Sequence, residues 1–211
     1  MAQLRPAAQE FFAKRALTRE IAAGEVLYEE GAPFTHAVFP HEGVISLMAK
    51  MESGRTIEKT SIGNEGFLGF SLLMGGGGAI SRTVVQVPGY ASWISVEQLD
   101  EALSDFVCVR DAMLRYAKSL IFQTMESVAC NGLHTAEQRV SRWLLHALDR
   151  VRGDSFAVTQ QALAEVLGLE REPRQHHRRG GLGEAVPRRH RQLAGPLGEL
   201  AGLPARTHAP A

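Results

Sequence analysis

Side chains able to do chemistry are few and scattered in this 211-residue chain. His36 and His41 are the histidines of the first hundred residues, and no His-x-His pair is among them. The clustered imidazole and carboxylate ligands that a β-barrel metalloenzyme needs are therefore missing. Cys108 and Cys130 stand far apart, with no second Cys or His at a ligand spacing. Ordinary buried thiols are the expectation, and a redox role for Cys130 is the alternative. The run Gly75–Gly78 is not followed by Lys-Ser/Thr, so it reads as a flexible loop and not as a nucleotide-hydrolase phosphate loop. No catalytic residue, metal or cofactor is expected, and the chain does not read as an enzyme. What remains is charge. Residues 1–170 hold 15 Lys+Arg against 20 Asp+Glu, while residues 171–211 hold 8 Arg against 3 Glu. An acidic body with a basic end suits a negatively charged partner met by that end, or a solvated tail with no partner.

The elements around these groups change in texture along the chain. Pro6 to Leu17 reads as a short helix. From Gly24 to Ser95, short β-branched and aromatic runs punctuated by Gly or Pro (25–28, 37–40, 43–49, 55–62, 82–87 and 90–95) predict an antiparallel sandwich or barrel. At Ser95 the period lengthens to between three and four. Ser95 and Gln98 form a capping box for a short helix over 96–103. A long helix is expected over 105–131, stopped by Gly132 in the left-handed conformation. Along it Phe106, Val109, Met113, Tyr116, Leu120, Thr124 and Val128 fall on one stripe of about 40 Å. The stripe packs either on the chain's own β-domain or on a second subunit. The second is preferred, because the helix outruns a small β-domain and the spacing suits a coiled coil. Thr135 with Gln138 opens another helix, whose inner face is Val140, Trp143, Leu144, Ala147 and Val151. Thr159 caps a third, with Leu163, Val166 and Leu167 inward and Gly168 as its stop. That pair has the form of the first half of a helix-turn-helix.

Together GEVLYEEG (24–31), FPHEGVISL (39–47), GNEGFLGFSLLMGGGG (63–78), SRTVVQV (81–87), HTAEQRVSRWLL (134–145) and TQQALAEVLGL (159–169) resemble the Crp/Fnr transcription regulators over roughly residues 20–170. The resemblance implies an α+β chain with an antiparallel, jelly-roll-like β-roll sensor (1–104), a dimerisation helix (105–132) and a partial winged helix-turn-helix (133–170), followed by an unstructured Arg/Gly/Pro-rich tail (171–211). It implies a cytoplasmic homodimer that binds DNA and a small-molecule effector. No signal peptide or apolar run long enough to span a bilayer points to a membrane.

In cyclic-nucleotide binders of this fold, a Gly-Glu pair and an Arg-Ser/Thr pair cradle the ligand. Gly69 matches the glycine and Arg82 with Thr83 the phosphate-binding pair, but Phe70 stands where Glu would accept the ribose hydroxyl. Ordinary cyclic-AMP binding is therefore not expected. Arg82 then holds another anion or satisfies carbonyls of the Gly75–Gly78 loop. The expected dimer seam is Val109, Met113, Tyr116, Leu120, Thr124 and Val128; the expected DNA contacts are Thr159, Gln160 and Gln161, with Arg171 and Arg174, beyond the resemblance, attracting phosphates by charge.

The sequence departs from the family after Leu169, where a recognition helix and wing belong. Pro173, Gly180, Gly181 and Gly183 oppose a helix by about 3 kcal/mol for an interior Pro and nearly 1 for each Gly. Two readings stay open: a divergent tail whose arginines attract DNA non-specifically, or an out-of-frame translation of the last forty or so codons.

Overall fold

The computed structural model describes residues 4–168 and the backbone of Glu184–Ala185. Helix α1 (Pro6–Arg15) leads into β1 (Leu17–Ile21), β2 (Val26–Tyr28), β3 (His36–Lys50), β4 (Thr56–Ile62) and β5 (Arg82–Ser95). Helices α2 (Val96–Asp105), α3 (Val107–Leu133) and α4 (Ala136–Leu148) follow, then β6 (Ala157–Val158), α5 (Gln160–Leu167) and β7 (Glu184–Ala185). All pairings in the five-stranded sheet are antiparallel, in the order β1-β5-β3-β4, with β2 also on β5. The chain is thus an α+β fold, an antiparallel sheet domain followed by helices. Among the described residues no helix is long and apolar enough to cross a membrane, and no group of three or more His, Cys, Asp or Glu could hold a metal ion.

Several boundaries differ from the expected ones. Leu17 does not end the first helix; it opens β1, pairs with Trp93 and is exposed. The runs 37–40 and 43–49 are one bent strand, β3, and 82–87 and 90–95 are likewise one strand, β5. The register of β3 on β5 slips between Pro40 and Ile45. Proline donates no ladder hydrogen bond there, and Gly43 turns with φ 98°, where a Cβ would lie 2.6 Å from the Val87 carbonyl oxygen. A Cβ on Gly89 would lie 2.1 Å from the Glu42 oxygen. The two glycines let the backbones close at the bend, and a loop-like pattern hides a continuous strand.

Three apolar clusters hold the molecule together. α1, α2 and the start of α3 pack Phe11, Phe12, Leu99, Val109 and Met113 against Ala37, Phe67 and Ile94. Ile21, Val38, Ile45, Leu47, Ile62, Leu68 and Val85 fill the interior of the sheet domain. Val44 and Val87 continue beyond the bend to receive Trp143, Ala147, Phe156, Val166 and Leu167 of the C-terminal helices. Complete burial of such side chains stabilises by about 1.5–3 kcal/mol each, so the helical unit is docked on the sheet by more than its polar contacts.

The capping signals read in the sequence are present. Ser95 accepts from Gln98 N and Thr135 from Gln138 N, each with the reciprocal glutamine bond. Thr159 accepts from Ala162 N, and Gly168 ends α5 at φ 61°. Gly132 does not stop α3. The helix continues to Leu133 and ends because Thr135 caps the next one, leaving His134 and Thr135 between α3 and α4.

Candidate functional site

Gly69 adopts φ 108° and caps a short 3₁₀ turn, Phe70–Met74, that follows the buried pair Phe67–Leu68. Phe70 is half-buried and packs against two of the apolar clusters. Its ring offers no acceptor where a ribose hydroxyl would need one. Thr83 is buried, and its hydroxyl is committed to β2, accepting from Tyr28 N at 2.9 Å and donating to Tyr28 O at 3.3 Å. Arg82 is exposed and pairs with Glu29 through Nε at 3.2 Å. An exposed pair of this kind is worth about 0–1 kcal/mol, so an anion could displace Glu29 at small cost. The sequence neighbours Arg82 and Thr83 therefore do separate work here, one at the surface and one in the ladder. The expected alternative for Arg82, carbonyls of the Gly75–Gly78 loop, is not its hydrogen bond; Lys59 instead donates to the Ile80 carbonyl just beyond that loop.

The dimer stripe divides. Val109, Met113 and Leu120 are buried within the chain. The Tyr116 ring lies against Gly66, where a Cβ would meet its atoms at 2.0 Å, and burial pushes its phenol well above the usual range. Thr124 donates to the Leu120 carbonyl. These five cannot form a free seam, because the β-domain covers most of them already. Val128 is exposed, and it belongs to a different row: Val107, Leu114, Ile121 and Val128 stand seven residues apart and are all exposed, with Phe122 and Met125 beside them. The expectation erred by about one helical step, since both stripes are apolar and periodicity alone cannot say which one the chain's own β-domain takes.

On α5, Thr159 is the cap and Gln160 and Gln161 are exposed in the first turn, with Gln161 bonded to Glu165 at 2.8 Å. Arg171 and Arg174 lie outside the described residues. Glu184 and Ala185, within the stretch expected to be an unstructured tail, pair antiparallel with Val158 and Ala157.

A polar junction that sequence reading did not find joins the sheet domain to the C-terminal helices. Arg150, its side chain 6% exposed, holds Glu65 through two bonds of 2.6 and 3.2 Å and Ser61 Oγ at 2.7 Å. Beside it, Trp143 Nε1 donates to Glu58 at 3.1 Å, and Ser46 Oγ also donates to that carboxylate. Burial pushes the Glu58 carboxyl above its ordinary value, and the hydrogen bonds from Ser46 and Trp143 and the charge of Arg150 offset only part of this. A cavity of about 50 Å³ lies here between Glu58, Lys59, Ser127, Arg139, Arg142 and His146. That is room for water or a small ion and well short of the roughly 300 Å³ of a ligand pocket. The partners are up to 89 residues apart in sequence, and no local spacing rule announces them.

Residues 18–106 match the cyclic nucleotide-binding domain family. The fold is that of Crp/Fnr-type regulators. The c-di-GMP-responsive global regulator CLP of Xanthomonas campestris superposes with a TM-score of 0.61 at 17% identity, over 79% of this chain and 86% of that one. FixK2 of Bradyrhizobium japonicum gives 0.60 at 18%, over 73% and 78%. A CRP-family transcriptional regulator of Thermus thermophilus gives 0.58 at 16%, over 72% and 77%. No curated protein sequence matches the chain.

Proposed function

We propose that the chain is a cytoplasmic, homodimeric, DNA-binding transcription regulator whose sheet domain reads a small-molecule effector other than cyclic AMP. One observation carries this reading: a cyclic nucleotide-binding-type domain runs into a 27-residue helix with an exposed heptad row, and then into two capped helices, the second ended by Gly168 at φ 61°. Each part does what the next requires. The row Val107, Leu114, Ile121 and Val128 offers a parallel seam to a second copy. The seam would set two helix-turn-helix units at a fixed spacing, and a two-fold operator would match them. Thr159, Gln160 and Gln161 at the start of α5 would touch the DNA backbone, with Arg171 and Arg174 further along the chain. In the sheet domain, the effector would meet Gly69, Phe70 and Arg82, with Thr83 shaping the strand beneath. Phe70 and the Glu29-paired Arg82 favour an anion that carries an apolar or aromatic group over one that presents a ribose hydroxyl.

A second reading, a sensor and dimerisation protein that has lost sequence-specific DNA binding, is favoured by the sequence after Leu169, where Pro173 and the glycines oppose a recognition helix. Selection of duplexes from a random pool by the full chain, at two salt concentrations, separates the two. Enrichment of a two-fold site preferred by about a thousandfold or more supports the regulator. Equal competition by all duplexes, with binding that fades steeply as salt rises, supports the second reading.

A further inference from the structure

We propose that the Arg150–Glu65 pair is a latch that couples the effector-facing segment of the sheet domain to the C-terminal helices. This rests on the reading of the chain as a sensor joined to a helical output unit, and it names the link between them.

Glu65 sits in a tight turn. Gly66 N donates to the Gly63 carbonyl at 3.1 Å, and Gly63 N donates to Glu65 Oε1 at 3.2 Å, so the backbone itself holds the carboxylate. Arg150 fills the space above Gly63, where a Cβ would lie 2.3 Å from its Cδ. On the other side of the turn, the Tyr116 ring of α3 occupies the space above Gly66. The chain then runs without slack through Phe67, stacked on Phe39 at 5.5 Å and set against Tyr116 at 5.2 Å, and Leu68, bridged to Val38. Gly69 and the Phe70–Met74 turn come next. One end of the segment 65–74 thus carries the latch and the other the effector-facing turn, with close-packed rings between them. Close-packed groups transmit displacement because they cannot deform gradually.

On the output side, Arg150 lies just past the Asp149 cap of α4, and its own carbonyl accepts from Gly43 N at 3.0 Å. Arg152 N adds a bond to Glu42 at 3.1 Å. The corner between α4 and β6 is therefore held at the bend of β3 by backbone bonds together with an ion pair whose guanidinium is buried and whose carboxylate reaches the surface. Removing Glu65 leaves the buried Arg150 guanidinium without its carboxylate, so the corner loosens although the apolar cluster and the backbone bonds remain.

Hydrogen exchange on the full chain, without DNA or effector, tests the latch by perturbing one end and reading the other. Gly69→Ala strains the turn at a positive φ. With Glu65 present it should speed amide exchange by about tenfold both at residues 67–73 and throughout α4 and α5. In Glu65→Gln, α4 and α5 should already exchange fast, and adding Gly69→Ala should affect residues 67–73 alone. Ser61→Ala, which keeps both charges and removes one bond to Arg150, serves if circular dichroism shows Glu65→Gln unfolded, and should weaken the transmitted effect. The latch is overturned if Gly69→Ala leaves α4 and α5 unchanged in the otherwise native chain, or if it acts on them equally when the pair or Ser61 is altered. Failure of the DNA selection with transmission intact would remove the regulator reading and leave the latch standing.

Discussion

Phe70 and Glu58 show how far a single side chain decides chemistry. With no acceptor at position 70, and Thr83 bonded to Tyr28, cyclic AMP should give no saturable heat in calorimetry at millimolar concentration; a clear isotherm would show that the residue matching is wrong. Glu58 has a different signature. Its folded pKa lies above the unfolded value near 4.5, so between those two values the folded state binds more protons than the unfolded one. Stability must then fall as pH rises through that window, and the loss is complete above the folded pKa. Glu58→Gln keeps an acceptor for Trp143 and has no proton to lose, so its urea-unfolding profile should lack that decline, leaving it more stable relative to the native chain at pH 7.5 than at pH 4. Parallel profiles would contradict the assignment. Position 70 was legible because one residue broke a motif. Glu58, Glu65 and Arg150 were not, because their partners meet only after the sheet and helices close.

Capping boxes, helix order and the short-strand texture could be read from sequence because each depends on neighbours within about four residues. The continuity of β3 and β5 could not, since Pro40, Gly43 and Gly89 look like loop punctuation until the bend brings them together. Helix α3 is long and apolar, as its spacing predicts, but a different stripe faces outward. The two stripes now give opposite expectations. Ile121→Glu, on the exposed row, should leave the protomer folded and shift it from dimer to monomer in sedimentation. Leu120→Glu, one residue away and 5% exposed, should destabilise the protomer itself by at least about 3 kcal/mol, because it buries an unpaired carboxylate. A dimer unaffected by Ile121→Glu would rule out the heptad seam.

At the scale of the whole molecule, the charge is divided between an acidic body and a stretch after residue 170 with eight arginines. If those arginines come from an out-of-frame reading, sequencing the locus through codons 165–180 should show an insertion or deletion that restores a hydroxyl-rich recognition helix; a clean frame with no family-like alternative would remove the idea. The sheet has a consequence of another kind. Leu17 pairs with Trp93 and Ile21 with Gly89, so the first strand has no partner until the fifth has been synthesised. At about 5–20 residues per second, the intervening residues take roughly 4 to 15 s to emerge. Throughout that interval β1 is open to neighbouring nascent chains, and so is the β5-facing edge of β3 once β3 has been made. Yield in a heterologous host should therefore depend on translation speed and chaperone supply more than on the stability of the finished fold.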